Sequence, residues 1–386
     1  MALDCFHELL GARLSEVESR GRFRRIPRLS ADSIDFSSND YLGLSRNLNY
    51  REGLAEMLSD RPALSGATGA RLISGDSSIA HQLEETVARF HRAECATLFN
   101  SGYDANIGLI SALARKGDTV VYDKLVHASL RDGIRLSAAS HFGFLHNDLD
   151  DLRAKLSRIN SPGAKFVVVE SVYSMDGDLC PLQEISEICQ GHDAILIVDE
   201  AHATGVFGER GEGRVIEEEL QSQIPIRIHT FGKALFSQGA AVVGPTNLRD
   251  YLLNFCRPLI FTTFLSPLQL YSTLFAYEWV KNSLSDRVAL FRLITRFQQL
   301  ASEFEYRCSQ NSSPIQFFLI PGNQEVLAFS RALHQMGFRV QAIRAPTVKV
   351  GQERIRICLH ADNTERELER LFECARNIYR GTLHAE

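Results

Sequence analysis

The chain has 386 residues, 45% hydrophobic and 23% charged, with 26 Gly and 11 Pro, the composition of a folded globular protein rather than a disordered or collagen-like one. Its length predicts a large domain and a second, smaller one. Lys plus Arg number 42 against 47 Asp plus Glu, a formal net charge of -5, which excludes a global basic field for nucleic acid or anionic lipid and leaves only a local anion site.

No basic segment followed by an apolar core opens the chain, and no run of about 18 apolar residues occurs, so a cytoplasmic protein without a membrane partner is expected. The eight cysteines are scattered, with no Cys-x-x-Cys pair, which argues against a zinc ribbon, and no metal site is expected.

In chain order, Ile34-Asp35-Phe36 is strand-like but too short to found a domain, so residues 1–50 are expected to join the C-terminal part. The Gly- and Ser-containing stretch 64–78 is the nearest candidate for a linker, and its position before a helix marks it as functional. Ile79, Leu83, Val87 and Phe90 set a helical spacing over 79–90. Short apolar runs then alternate with amphipathic stretches, predicting strands at 96–100, 119–123, 166–170, 195–199, 226–230 and 240–244. The runs Phe166-Val167-Val168-Val169 and Ile195-Leu196-Ile197-Val198 suit strands covered on both faces, as in a parallel sheet. Beyond about residue 260 the pattern predicts one long helical stretch over 266–308, strands at 315–320, 339–343 and 355–359, and a last helix at 365–379. The domains expected are a large one at 51–262 and a discontinuous smaller one made of 1–50 and 263–386.

Ligands of an open α/β sheet sit beyond the carboxyl ends of its strands, so the polar residues there carry the chemistry. Asp199 closes one buried run and leads into Glu200-Ala201-His202. Thr230-Phe231-Gly232-Lys233 follows another, and a partly buried lysine has its ammonium disfavoured, as an imine-forming amine requires. Alone, Lys233 is a solvated charge and Asp199 a helix cap or surface acid. Together they suit a pyridine-type cofactor, the aspartate holding the ring's protonated nitrogen and the lysine its carbonyl carbon. Ser101-Gly102-Tyr103 opens a helix after a strand, where backbone N–H groups can receive a phosphate, although taken alone Ser-Gly after a strand is common and a plain N-cap explains it better. His127, just past another strand, could lie against a ring or be structural.

Seven motifs carry a family resemblance: DFSSNDYLGL at 35–44, GATGARLISG at 66–75, NSGYDAN at 100–106, SMDGD at 174–178, DEAHATG at 199–205, TFGK at 230–233 and AIRAPTV at 342–348. In this order, across nearly the whole chain, they resemble the α-oxoamine synthases. These are fold-type-I pyridoxal-phosphate enzymes, and the likeness is greatest to the branch that serves biotin biosynthesis. The resemblance implies an α/β fold with a large, mostly parallel seven-stranded sheet domain and a smaller α+β domain. It implies pyridoxal 5'-phosphate as cofactor, with Lys233 bonded to it, Asp199 on the ring nitrogen, His127 stacked on the ring, and His202 and Ser174 near its phenolic oxygen. Gly102, Tyr103 and Thr230 would hold the phosphate. Thr262 and Thr263 match a segment that reaches the neighbouring subunit's cofactor, which implies a homodimer with shared active sites. Arg344 matches the arginine that holds the amino-acid carboxylate, and Asn39, Thr347 and Arg22 fall at further substrate-side positions.

The activity implied is decarboxylative condensation of L-alanine with pimeloyl-CoA or a pimeloyl carrier protein, giving 8-amino-7-oxononanoate. Two departures bear on the acyl side: Phe236 stands where the family has a small residue, and Phe23 occupies the best match to an N-terminal arginine near Arg24-Arg25-Ile26-Pro27. Glycine C-acetyltransferase and a soluble serine palmitoyltransferase are the alternatives within the family, and a catalytically dead regulatory homologue is one outside enzymology. The acidic box Asp199-Glu200-Ala201-His202 also mimics a helicase, but Gly232-Lys233 is followed by Ala234 and has Arg227 where a phosphate loop needs its first Gly.

Overall fold

The structure, a computed structural model, describes residues 2–24, 26, 32–61, 65–304 and 307–383. Arg25, Pro27 and Leu64, which fall within stretches singled out above, lie outside the described residues. Among the described residues the chain forms twelve strands: β1 (Ile34–Asp35), β2 (Cys95–Phe99), β3 (Thr119–Asp123), β4 (Ser140–Phe144), β5 (Lys165–Glu170), β6 (Ala194–Asp199), β7 (Ile226–Thr230), β8 (Ala240–Gly244), β9 (Ile315–Leu319), β10 (Phe338–Arg339), β11 (Gln341–Ile343) and β12 (Arg354–Cys358).

By their contacts these residues form two compact units, Asn39–Ser174 with Asp178–Ala289, and Met1–Ser38 with Met175–Gly177 and Leu290–Glu386. The boundaries differ from those expected at 50 and 262. Residues just after Asn39 join the sheet unit because Tyr41 is fully buried and hydrogen-bonds His202 at 2.7 Å. Pro267–Lys281, a helix expected in the smaller domain, packs on the Ser78–Phe90 helix and therefore also belongs to the sheet unit.

In the larger unit seven strands run in the order β2-β8-β7-β6-β5-β3-β4, with β8 antiparallel to both its neighbours and every other pair parallel. The apolar runs of β5 and β6 are buried side by side, Val167 to Val169 opposite Leu196 to Val198, and form the centre of the core. β4, absent from the sequence expectations, is an edge strand that pairs only with β3 and leaves Phe142 half exposed, so no apolar run was required of it. The stretch before the Ser78–Phe90 helix is a fixed turn rather than a linker. Arg71–Gly75 forms a π-helical turn in which the Arg71 guanidinium forks onto Glu84 (Nη2 to Oε2 2.7 Å) and bonds Asp76 at 2.9 Å. Glu84 also accepts the Leu98 N–H at 3.1 Å, which ties this turn to β2.

The smaller unit is α+β. β11, β12 and β9 form an antiparallel sheet, and β1 pairs in parallel with β10. The single strand expected at 339–343 is thus two short strands that serve different sheets. The long helical stretch likewise splits into Pro267–Lys281 and Leu284–Ser302, broken at Asn282 and Ser283.

Candidate active site

β3, β5, β6 and β7 are parallel, and β2 is parallel to β7 through two antiparallel steps, so the carboxyl ends of all five lie along one edge of the sheet. Asp199 ends β6 in register with Glu170 of β5 and Ile228 of β7, and is 4% exposed. Its Oδ1 accepts the Ala201 N–H at 2.9 Å and its Oδ2 accepts Asn106 Nδ2 at 2.9 Å. Asn106 Nδ2 also donates to Ser129 Oγ at 2.9 Å, and that hydroxyl is 2.7 Å from His127 Nδ1. Because His127 Nδ1 accepts the Ser129 N–H as well, at 3.2 Å, the ring's proton resides on Nε2 in the neutral form. Asp199, Asn106, Ser129 and His127 therefore form one chain of hydrogen bonds that orients the imidazole.

Lys233 is half-buried on the turn after β7, closed by Phe236 N–H to Lys233 O at 2.8 Å and Ser237 N–H to Phe231 O at 2.8 Å. Phe236, at φ +45°, takes a left-handed conformation that favours glycine. The charges of Asp199 and Lys233 both act on His127 and on Glu170. His127 is held below its ordinary pKa, first by desolvation and then by Lys233, with Asp199 opposing. Glu170, 2% exposed, is pushed well above the usual carboxylate range by burial and by Asp199, and its Oε1 accepts the His127 N–H. Proximity of these groups across four strand ends, with His127 and Glu170 shifted from their ordinary protonation, marks a site built for proton chemistry.

In the turn after β6, His202 Nδ1 lies 2.7 Å from Tyr41 Oη, and Tyr41 donates to Asn39 Oδ1 at 3.2 Å. One phenolic proton serves both contacts only if His202 Nδ1–H donates to Tyr41. Ser174, 9% exposed, sits on the turn after β5, whose base is held by the Arg214 guanidinium on the carbonyls of Ser171 and Cys180, both at 2.8 Å.

The helix Gly102–Leu113 begins beside Thr230. Ser101 Oγ caps it by accepting the Asp104 N–H at 3.0 Å, so the preceding N–H groups of Gly102 and Tyr103 have no intrahelical acceptor. A Cβ on Gly102 would stand 2.5 Å from Thr230 Cγ2, so only glycine brings this N-terminus so close to the turn leading to Lys233. An anion is favoured at such a terminus by the helix dipole as well as by the amides.

Residues 31–374 match the model of the aminotransferase class I and II family. The chain belongs to this family. It is 40% identical over 393 residues to 8-amino-7-oxononanoate synthase of Emericella nidulans, covering 96% of this chain and 95% of that one. It is 41% identical over 349 residues to the protein of the same name from Marinobacter nauticus, covering 89% and 88%. A high-resolution structure of SPT with PLP superposes with a TM-score of 0.88 at 27% identity, covering 98% of each chain.

Pyridoxal phosphate, the cofactor of this aminotransferase-family fold, fits the residues present. The close approach of Gly102 to Thr230 leaves a cradle of a kind that would suit a phosphate, and Asp199 and Lys233 lie within electrostatic reach of the same two groups, His127 and Glu170. Gly102→Ala is expected to weaken pyridoxal phosphate binding about tenfold, the cost of overpacking a close contact. Thr230→Ser, which removes Cγ2 and keeps the hydroxyl, should recover most of that loss in the double variant, as read by fluorescence titration of the apoprotein.

Of the residues expected from sequence, Lys233, Asp199, His127, His202, Ser174, Gly102, Tyr103, Thr230 and Asn39 belong to the larger unit, as do Thr262 and Thr263. Thr263 bridges Ala70, and its carbonyl accepts Asn100 Nδ2 at 2.5 Å. Arg344, Thr347 and Arg22 belong to the smaller unit, where with Arg24 they line a cavity of about 320 Å³. Among the described residues no acidic side chain lines that cavity. Arg344 Nη1 donates to Gly21 O at 2.7 Å, and its guanidinium also reaches Phe23 O at 3.4 Å, so the N-terminal segment bearing Phe23 holds it in place. Desolvation, and after it the charge of the neighbouring Arg24, lower the Arg344 pKa.

Sequence reasoning did not single out Asn106, Ser129, Tyr41 or Glu170. Glu170 carried a usable signal, an acid ending a buried apolar run. The other three gain their roles from partners distant in sequence. Among the described residues no helix is long and apolar enough to cross a membrane, and no group of three or more His, Cys, Asp or Glu could hold a metal ion.

Proposed function

We propose that this protein is a pyridoxal-phosphate-dependent acyltransferase of biotin biosynthesis, condensing L-alanine with a pimeloyl thioester to give 8-amino-7-oxononanoate, carbon dioxide and a free thiol. The observation that carries the reading is the chain Asp199–Asn106–Ser129–His127 with Lys233 in electrostatic contact, in a sequence 40% identical to an 8-amino-7-oxononanoate synthase. When bound, the cofactor supplies an electron sink for negative charge developing at the amino acid's Cα.

The chain's own residues do the rest. Lys233 would hold the cofactor through its amine and, as a free amine, would take and return the Cα proton. Asp199, fixed by Asn106 and the Ala201 N–H, keeps a proton on the ring nitrogen. His127, held in one tautomer by Ser129, would hold the cofactor's ring, and Gly102, Tyr103 and Thr230 would hold its phosphate. His202, steadied by Tyr41 and Asn39, and Ser174 address the phenolic oxygen. Arg344, with Arg22 and Thr347, receives carboxylate, for which a planar two-pronged donor is suited.

The active unit is a homodimer in which Thr262 and Thr263 reach the partner's phosphate. Ile73 and Phe261, 86% and 69% exposed on the same unit, offer the apolar surface such a dimer buries. The donor is coenzyme A-bound or carrier-protein-bound pimelate, and the enzyme works in the cytoplasm. The test is a substrate panel of alanine, glycine and serine against pimeloyl, acetyl and palmitoyl thioesters, scored by thiol release. Alanine with the pimeloyl thioester is expected to exceed every other pair by at least about tenfold in kcat/KM. A preference for glycine with acetyl or serine with palmitoyl thioester would transfer the protein to glycine C-acetyltransferase or serine palmitoyltransferase.

A further inference from the structure

His146, in the loop after β4, takes no part in the site as described, yet its ring stands between two carboxylates. Nδ1 is 3.0 Å from Asp123 Oδ1 and 3.1 Å from its Oδ2, and Nε2 is 2.6 Å from Asp178 Oδ2. A neutral imidazole has a single N–H and leaves one of these contacts as two acceptors face to face, whereas an imidazolium donates to both. Burial disfavours that cation, but the hydrogen bonds and charges of Asp123 and Asp178 outweigh it and raise the His146 pKa to about 10. The other titratable groups packed here are Tyr173, whose ring meets the imidazole edge-on at 4.4 Å, and Cys180 behind it. Burial lifts both well above their usual values, so they stay neutral.

The two carboxylates belong to different parts of the active site. Asp123 ends β3, is fully buried, and its Oδ1 accepts the Leu125 N–H at 2.7 Å, so it shapes the loop that delivers His127. Asp178 closes the turn that bears Ser174: its carbonyl accepts the Tyr173 N–H at 3.1 Å, and Val172 bridges Leu179. Asn147 reinforces both ends, its N–H on Asp123 Oδ2 at 2.9 Å and its Nδ2 on Asp178 Oδ2 at 2.8 Å.

We propose that His146 is a positioning residue that, as an imidazolium clamped between Asp123 and Asp178, fixes the His127 loop and the Ser174 turn against each other. This rests on the reading of His127 and Ser174 as cofactor-side residues. A histidine whose folded pKa lies above its ordinary value of about 6.5 contributes stability that is complete below that pH. The contribution is lost as pH rises toward about 10.

The test uses His146→Gln and Asp178→Asn, singly and combined. Nitrogen-15 NMR of the wild-type ring should show both nitrogens protonated at pH 8, and the wild-type melting temperature should fall more steeply between pH 7 and 10 than that of His146→Gln. Each single variant should bind pyridoxal phosphate about tenfold more weakly as apoprotein, and the double variant no more weakly than either, because the two residues act as one unit. A neutral ring at pH 8, wild-type cofactor affinity in the single variants, or additive losses in the double variant would overturn the proposal. If His146→Gln does not fold, Asp178→Asn, which keeps the ring and removes one partner, decides between these outcomes through its cofactor affinity. A wild-type protein that takes up no pyridoxal phosphate sinks the functional reading instead, and the ring's charge and the pH–stability comparison still judge the clamp.

Discussion

Lys233→Ala is expected to yield a folded protein that still takes up pyridoxal phosphate but cannot be fixed to it by borohydride, with kcat lowered by about 10⁴-fold or more. The fold should survive because the turn is anchored by its neighbours: Phe231 is fully buried, Ala234 and Leu235 are 1% exposed, and the two closing hydrogen bonds are backbone to backbone. The loss should exceed that of an ordinary general base, since one side chain is asked to bond the cofactor and to move the Cα proton. A melting temperature within a few degrees of wild type, read beside kcat, separates lost chemistry from lost structure. Retention of more than a tenth of wild-type turnover would mean that another amine does this work.

The second large effect is expected at Asp199. Both of its oxygens are acceptors in the folded protein, one for the Ala201 N–H and one for Asn106 Nδ2. Asn at this position keeps the shape but replaces one acceptor by a donor, so an N–H is turned toward an existing N–H. Leaving one such buried donor unmatched costs about 1–3 kcal/mol, measurable by urea unfolding of the apoprotein. The catalytic loss should be larger, about 10²–10³-fold in kcat, because the negative charge we propose to keep the ring nitrogen protonated is gone. If Asp199→Asn loses stability but turns over at the wild-type rate, the ring lies elsewhere.

Both effects concern residues that position alone makes visible. Asp199 ends an apolar run and Lys233 follows a buried strand, and a polar group at such a strand's end has few other reasons to be there. β3, β7 and β8 likewise keep the boundaries expected of them, each an interior strand of the seven-stranded sheet. Where the environment is less demanding, sequence is less explicit. Edge strand β4, Ser-His-Phe-Gly-Phe, is mostly exposed and reads as loop. The amphipathic helix Ala2–Ser19 is equally hard to read, its Leu3, Phe6 and Leu14 being largely exposed. The break at Val340 follows from β10 and β11 having different partners, which no local pattern records.

The supporting shell of the site is hidden for the same reason. Asn106 meets Asp199 across 93 positions, Tyr41 meets His202 across 161, and His146 reaches Asp178 across 32. Each of these side chains reads as an ordinary polar residue until the sheet brings its partner alongside. Arg344 shows the converse. Its motif is legible, but its engagement with the carbonyls of Gly21 and Phe23 depends on the N-terminal segment folding back onto it.

The central claim, carbon–carbon bond formation with loss of the amino acid's carboxyl group, is tested most directly by supplying alanine labelled with carbon-13 at its carboxyl carbon together with pimeloyl-CoA. The account predicts labelled carbon dioxide, free thiol and unlabelled 8-amino-7-oxononanoate in equal amounts, all dependent on Lys233. Thiol release without labelled carbon dioxide would identify a thioester hydrolase and contradict it.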